Sequence, residues 1–257
     1  MSEIARKAGD ILMEYFSADN EVIRKEDGSP VTVADRSAEE YIISELAKLF
    51  PDIPAVGEES STYGADVQSM SRYWMIDPLD GTRDFIQKSP QFTVNIALME
   101  KGIPVTGVIY APALGLMYVG DRELGSYRLF GGKGPAKLPE LPGERPFTVT
   151  ISRLHPAGGQ EEDYLKHLAE ELPIDVLRMS SSLKFCLVAE GSADLYFRAG
   201  RTMHWDTAAG HIIAKGAGAK VIEWDTKDEL TYFNCSLENP SFMVYNIERT
   251  AEKLLKL

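Results

Sequence analysis

The chain predicts a layered α+β / α/β fold, and three observations carry that prediction. Phe92, Val94, Ile96 and Leu98 alternate with Thr93, Asn95 and Ala97, and this period-two strand opens a run of strands joined by short turns. After residue 146, strands alternate with helical segments. Between the two patterns lies Gly131 to Arg145, rich in Gly and Pro, which reads as a connector. The expected arrangement is an antiparallel meander sheet in an N-terminal domain, 1–145. A smaller mixed sheet with helices follows in a C-terminal domain, 146–257.

Ile4, Ala8, Ile11, Leu12 and Tyr15 recur at helical spacing and predict an amphipathic first helix. Asp27-Gly28-Ser29-Pro30 is a turn. A second helix opens at Thr32-Val33-Ala34-Asp35, with Ala38, Tyr41, Ile42, Leu46 and Leu49 on one face. Thr32-x-x-Asp35 has the form of a capping box, which by itself accounts for Asp35. The same carboxylate would also suit a base beside a metal-activated water. Phe50-Pro51-Asp52 ends this helix, Ile53 to Val56 is a short strand, and Gly57-Glu58-Glu59-Ser60 reads as a polar, solvent-facing loop. Ser61 to Ser71 reads as a polar surface loop.

Tyr73 to Ile76 is a buried strand running into Asp77-Pro78-Leu79-Asp80-Gly81-Thr82. Pro78 has no N–H for a central strand, so the chain is expected to leave the sheet at Asp77 and turn. That turn would bring the carboxylates of Asp77 and Asp80 together, and such a pair repels unless a cation sits between them. Hard cations such as Mg²⁺ take carboxylates together with phosphate oxygens. Gly81 admits close backbone approach, and the N–H groups at Gly81 and Thr82 suit an anion. The same Pro-x-Asp-Gly run also fits an ordinary turn.

Strands follow at Ile103 to Tyr110 and Leu116 to Val119, with turns at Lys101-Gly102 and Ala111 to Gly115. In the second half, strands are expected at Phe147 to Ile151, Val176 to Met179, Leu195 to Phe197, Val221 to Trp224 and Phe242 to Tyr245. A helix runs through Tyr164, Leu165 and Leu168. Ser180-Ser181-Ser182 caps another through Leu183, Cys186, Leu187 and Ala189, stopped by Gly191. Asp206 reads as the N-cap of a small-residue helix reaching about Gly216, and residues 247–257 as a terminal helix.

Hydrophobic residues make up 44% and charged residues 26% of the 257, as in ordinary globular chains. A net charge of −12 argues against nucleic acid as partner and requires bound cations for any anionic substrate. No apolar run is long enough to cross a bilayer. Two cysteines, Cys186 and Cys235, and an N-terminus without signal-peptide character lead to the expectation of a cytoplasmic protein.

Three motifs stand in register: Gly57-Glu58-Glu59, Asp77-Pro78-Leu79-Asp80-Gly81-Thr82 and Trp205-Asp206-Thr207-Ala208-Ala209-Gly210. In this order and spacing the chain resembles the inositol monophosphatase superfamily. Ser29 to Thr32, Phe92 to Leu98 and Ser181 to Gly191 make it most similar to the CysQ-type 3'(2'),5'-bisphosphate nucleotidases. The resemblance implies the sugar-phosphatase fold of alternating layers (αβαβα), with the site in the cleft between the domains. It implies Mg²⁺-dependent removal of the 3'-phosphate from adenosine 3',5'-bisphosphate, giving AMP. It further implies the sulfated analogue as a second substrate and lithium as an inhibitor. The alternatives are an inositol monophosphatase or broad sugar phosphatase, and a non-catalytic metal- or nucleotide-binding regulator.

The resemblance further implies two to three ions per site. Glu58 and Asp77, with the Leu79 carbonyl, hold the first ion, and Asp77, Asp80 and Asp206 the second. A third leans on Glu58. Asp35 and Thr82 orient and deprotonate the attacking water. Glu58, Leu79, Asp80, Gly81, Thr82, Ser182, Lys184 and Asp206 contact substrate. Lys184 is either the cation for a second phosphate or a solvated surface lysine. His204, beside Asp206, either touches substrate or supports a metal ligand, or is exposed and uninvolved, the preferred reading, and Cys186 reads as a small packed residue. Arg83-Asp84 departs from the usual Lys-Glu of the nucleotidases. The expected partner is a small bisphosphate nucleotide, with no nucleic acid and no integral membrane segment. The assembly is expected to be a monomer or homodimer, with peripheral inner-membrane association compatible with the cytoplasmic location.

Overall fold

A computed structural model describes residues 1–17, 22–24, 30–60, 66–140, 143, 145–153, 159–234 and 236–246. The expected turn at 27–29, the Thr32 cap, Cys235 and the terminal helix over 247–257 lie outside the described residues or side chains.

In chain order the elements are α1 (Ser2–Phe16), the short pair β1 (Val22–Arg24) and β2 (Pro30–Thr32), α2 (Val33–Leu49), β3 (Ala55–Gly57) and β4 (Arg72–Asp80). There follow α3 (Thr82–Ile86), β5 (Thr93–Glu100), β6 (Ile103–Ala111), β7 (Leu116–Asp121), β8 (Gly125–Phe130) and β9 (Ala136–Lys137). The second half comprises β10 (Phe147–Ser152), α4 (Gln160–Glu171), β11 (Ile174–Met179), α5 (Leu183–Glu190), β12 (Leu195–Arg198), α6 (His204–Gly216), β13 (Ala219–Glu223) and β14 (Phe242–Asn246). No helix among the described residues is long and apolar enough to cross a membrane.

The first sheet has seven strands in the order β3-β4-β5-β6-β7-β8-β9, antiparallel except for the β3–β4 pair. The meander extends two strands further than the sequence suggested. β9 falls inside the Gly/Pro-rich connector, where two residues of β8 and two of β9 pair. The second sheet, β11-β10-β12-β14-β13, is mixed: the first three strands run parallel and β14 reverses.

Period-two alternation decides the layering. Trp74, Ile76, Val94, Ile96 and Leu98 face α1 and α2, packing on Ile4, Leu12, Ile42 and Leu46. Their neighbours Tyr73, Met75, Ala97 and Met99 point the other way, into α5 and α6 at Phe185, Ala209 and Ile213. The far side of α5 and α6 meets Tyr196, Val221, Phe242 and Val244 of the second sheet. That sheet's outer face, Val149, Leu195, Phe197 and Met243, is closed by Leu168 of α4. The stack is therefore α1/α2, sheet, α5/α6, sheet, α4, with the central strands of both sheets buried on two faces and the edge strand β11 largely exposed. One apolar cluster, through Met75, Phe185 and Phe242, joins residues of the first and second halves. Each fully buried Ile, Leu or Phe contributes about 1.5–3 kcal/mol relative to exposure.

α6 approaches the first sheet closely because glycines lie beneath it. Gly107 and Gly120 are paired across β6 and β7. A Cβ on Gly120 would stand 2.7 Å from the Ile213 Cα, and one on Gly107 2.7 Å from an Ile212 methyl. Gly120→Ala is expected to cost about 1–3 kcal/mol by overpacking. Urea unfolding measures this, and an unchanged midpoint would contradict the close approach.

Several local expectations are corrected. Leu49 is 62% exposed, although Leu46 before it is in the core. The Glu59 side chain is only 6% exposed, and its backbone N–H bonds to Glu39 of α2. Val67, in the segment read as a surface loop, is buried in the core. β4 does not end at Asp77 but runs to Asp80. Pro78 is tolerated because the ladder is interrupted there. β3 pairs only with Trp74 to Ile76, and pairing with β5 jumps from Asp77 to Asp80.

Candidate active site

That jump builds the site. Asp77 pairs with Asn95 and Asp80 with Thr93, so three steps along β4 match two along β5. In a regular strand residues three apart point to opposite faces; the one-residue bulge returns both aspartates to the same face. It is the face covered by α5 and α6. Leu79, between them, points into the opposite core layer.

α6 brings in Asp206. Its N-cap is Met203 rather than Asp206, which stands at the third helical position and accepts the Met203 N–H at Oδ2 (2.8 Å). Asp206 therefore still satisfies a free helix donor, one turn later than the sequence suggested. α5 brings in Ser182. It is the N-cap by position, but its hydroxyl makes no cap bond. It lies instead 2.6 Å from Asp80 Oδ2 and 2.8 Å from the Asp206 carbonyl, and accepts from Asn95 Nδ2 at 2.7 Å. The Ser182 N–H also donates to Asp80 Oδ2 at 2.6 Å. Ser181, at φ 54°, makes the tight turn that allows this. One serine thus ties β4, β5, α5 and α6 together around Asp80.

Asp77, Asp80 and Asp206 each offer a carboxylate oxygen, and the three lie within 4.8 Å of one another. Asp77 is 1% exposed; its Oδ1 accepts the Leu79 N–H at 3.0 Å, and its buried Oδ2 has no hydrogen-bond partner. Two unit charges at this separation repel by roughly 3–4 kcal/mol at an effective dielectric of about 20. Burial, then Glu58, Asp80, Asp206 and Asp35, raise the Asp77 pKa well above the usual carboxylate range. Burial first, then Asp80 and Glu58, push Asp206 up to about 8. Protons or cations must therefore occupy the cluster at neutral pH. All-oxygen donors and an orphaned buried oxygen suit a hard divalent ion.

Glu58 lies outside that close triad but acts on both Asp77 and Asp206. Its N–H donates to the Ile76 carbonyl at 3.2 Å, which places the Glu58 turn beside the end of β4. Asp35 is buried in the first turn of α2 and adds to the same field. Gly81 adopts φ 95°, which a side chain resists, and opens α3. The Thr82 hydroxyl donates to the Leu79 carbonyl at 3.2 Å. Asp84, from the departing Arg83-Asp84 pair, is buried and ion-paired with Arg153, which ties α3 to the end of β10. Arg83 is exposed.

Lys184 is not a surface lysine. It is buried, donates to the Ser181 carbonyl at 2.5 Å and lies over the Tyr196 ring at 5.3 Å. Burial lowers its pKa to about 8, against the pull of Asp80. His204 is not exposed either. It is fully buried edge-on to Tyr232, both ring nitrogens lack hydrogen-bond partners, and burial lowers its pKa to about 4. Cys186 is buried, as expected. Two residues were missed as contributors, Asn95 and Glu39. The available signals were a polar residue on the inward face of β5 and a carboxylate between Ala38 and Ile42 on the apolar face of α2.

A model of the inositol monophosphatase family matches residues 1–257. The chain is 43% identical over 244 residues to the 3'(2'),5'-bisphosphate nucleotidase CysQ of Shigella flexneri, covering 94% of this chain and 96% of that protein. It is 44% identical over the same length, with the same coverage, to the CysQ nucleotidase of Salmonella typhimurium. The crystal structure of CysQ from Bacteroides thetaiotaomicron superposes with a TM-score of 0.86 at 34% identity, covering 95% of each chain. The IMPase of Thermotoga maritima superposes at 0.74 with 28% identity, over 98% of this chain and 93% of that one. With a layered fold, an acidic triad at a β-bulge and these relatives, the chain belongs to the inositol monophosphatase family.

Proposed function

We propose that this chain is a Mg²⁺-dependent phosphomonoesterase that removes the 3'-phosphate of adenosine 3',5'-bisphosphate to give AMP, with the sulfated analogue as a second substrate. The convergence of Asp77, Asp80 and Asp206 within 4.8 Å carries the chemistry. The nucleotidase relatives at 43% and 44% identity support the substrate.

Glu58, Asp77 and the Leu79 carbonyl hold one ion, Asp77, Asp80 and Asp206 a second, and Glu58 supports a weaker third. When bound, such ions acidify a coordinated water and neutralise charge on the phosphoryl and leaving oxygens. The residues do the rest. The N–H groups of Gly81 and Thr82 grip the phosphate and fix its direction of attack. Asp35 accepts the proton of the attacking water. Thr82 is too weak a base to keep that proton, so its hydroxyl relays to Asp35, exchanging its bond to the Leu79 carbonyl for one to the carboxylate. Ser182 holds Asp80 in place from the substrate side of the turn. Lys184 supplies counter-charge for the second phosphate. The site lies in the cleft between an N-terminal unit, 1–145, and a C-terminal unit, 146–257. A cytoplasmic monomer or homodimer completes this reading.

Phosphate release from a panel of nucleotides and inositol phosphates, with and without Mg²⁺, tests it. Adenosine 3',5'-bisphosphate is expected to turn over far faster than inositol 1-phosphate, and only with the metal. The likeness to the Thermotoga IMPase supports inositol monophosphate hydrolysis as a second reading, and a clear preference for inositol 1-phosphate would establish it instead. No release from any bisphosphate nucleotide would favour a non-catalytic binding role.

A further inference from the structure

We infer that Glu39 is a positioning residue for Glu58: its buried carboxylate grips the two N–H groups that follow Glu58 and thereby fixes where that side chain stands. The inference rests on the reading of Glu58 as a metal ligand.

Glu39 follows Asp35 by four residues on α2, so both carboxylates lie on one helix face, and both are buried. Glu39 Oε2 accepts the Glu59 N–H at 2.9 Å, and Oε1 accepts the Ser60 N–H at 2.6 Å. On the other side, the Glu58 N–H is fixed by the Ile76 carbonyl. The turn carrying Glu58 is thus clamped between α2 and β4, the strand that carries Asp77 and Asp80. Gly57 makes room for the clamp, because a Cβ there would stand 2.5 Å from Glu39 Oε2.

The residue type matters. Two adjacent N–H donors require two acceptor oxygens in a fork, which a carboxylate provides. Glutamine of the same size would turn an NH₂ group against one of the two donors. Burying a carboxylate beside an already acidic cluster is unfavourable, so simple space-filling does not explain it. A clamp on the backbone next to a metal ligand does, since supporting bonds of this kind orient the ligands and tune their affinity.

The test compares wild type with Glu39→Gln, Gly57→Ala and Glu58→Gln, each prepared metal-free. Mg²⁺ binding is followed by calorimetry, and hydrogen exchange at the Glu59 and Ser60 amides by NMR. Mg²⁺ affinity is expected to fall about 10- to 100-fold in Glu39→Gln. The two amides should exchange faster while the rest of α2 keeps its protection. Turnover should approach that of wild type at saturating Mg²⁺, because Glu39 touches neither ion nor substrate; a purely structural tie would lower the melting temperature without this split. Wild-type Mg²⁺ affinity in folded Glu39→Gln would overturn the inference. If Glu39→Gln does not fold, Gly57→Ala decides on the same titration: weakened binding supports the clamp and unchanged binding rejects it. If Glu58→Gln binds Mg²⁺ as tightly as wild type, the assignment of Glu58 as ligand fails, and this inference with it.

Discussion

Asp77→Asn is expected to lower kcat on the order of 10³-fold or more while leaving the fold intact. Asp77 is the carboxylate shared by both proposed ion positions, and the only one of the triad that is fully buried. Asparagine keeps the shape. Its Oδ1 can still accept the Leu79 N–H, and its NH₂ replaces the oxygen that has no partner. Only the ionisable group is lost. Because burial and Glu58, Asp80, Asp206 and Asp35 oppose its ionisation, the metal-free fold keeps Asp77 protonated at a cost that grows with pH, and near neutral pH the metal-free variant should unfold at a higher temperature than metal-free wild type. Paired measurements of phosphate release and thermal unfolding check both halves. Near-normal turnover, or a variant less stable than wild type without metal, would remove Asp77 from the centre of the mechanism.

The metal-free protein should lose stability as pH rises from about 6.5 to about 8, and saturating Mg²⁺ should flatten that slope. Asp77 is raised well above its unfolded value and Asp206 to about 8, chiefly by burial. Between about 4 and about 8 the unfolded chain releases these protons while the folded one retains them. These groups therefore bind protons on folding, and their contribution is fully present below about 4 and lost as pH passes through the folded values. The total effect is on the order of a few kcal/mol. Glu229 has the opposite sign, being held at about 2 by His211 and Lys215. Its contribution is lost only as pH falls below the ordinary carboxylate range, and buried His204, held at about 4, and His211, lowered by burial, oppose the aspartates only below about 6.5, so the loss is read above that pH. A cation replaces the retained protons, and at a hundredfold excess over its Kd it adds about 2.7 kcal/mol. Urea unfolding across this range, with chelator and with Mg²⁺, measures the slope. A flat metal-free profile would show that the acids are not brought together as described.

Much of the architecture was legible from local patterns. The alternation at residues 92–98 set one strand and both core layers it divides. The 3.6-residue spacing of Ile4, Ala8 and Leu12 set α1, and Gly191 ended α5 as expected. Such features follow from side-chain direction, which the backbone period dictates. β9 was not legible, because two paired residues leave no period to detect, and Gly125 to Phe130 of β8 shows no clean polar–apolar alternation.

By itself the sequence determined the acidic residue types, their order and the layers that carry them, since carboxylate chemistry and hydrophobic periodicity are local properties of the chain. Only the tertiary structure decided that Asp77 and Asp80 share a face, because a bulge depends on pairing with β5, a strand thirteen or more residues further on. It also moved Asp206 from the cap to the third helical position, gave the Ser182 hydroxyl to Asp80, and buried Lys184, His204 and Glu39. Each of those outcomes depends on partners distant in sequence, and burial and long-range hydrogen bonding leave no trace in the spacing of neighbouring residues.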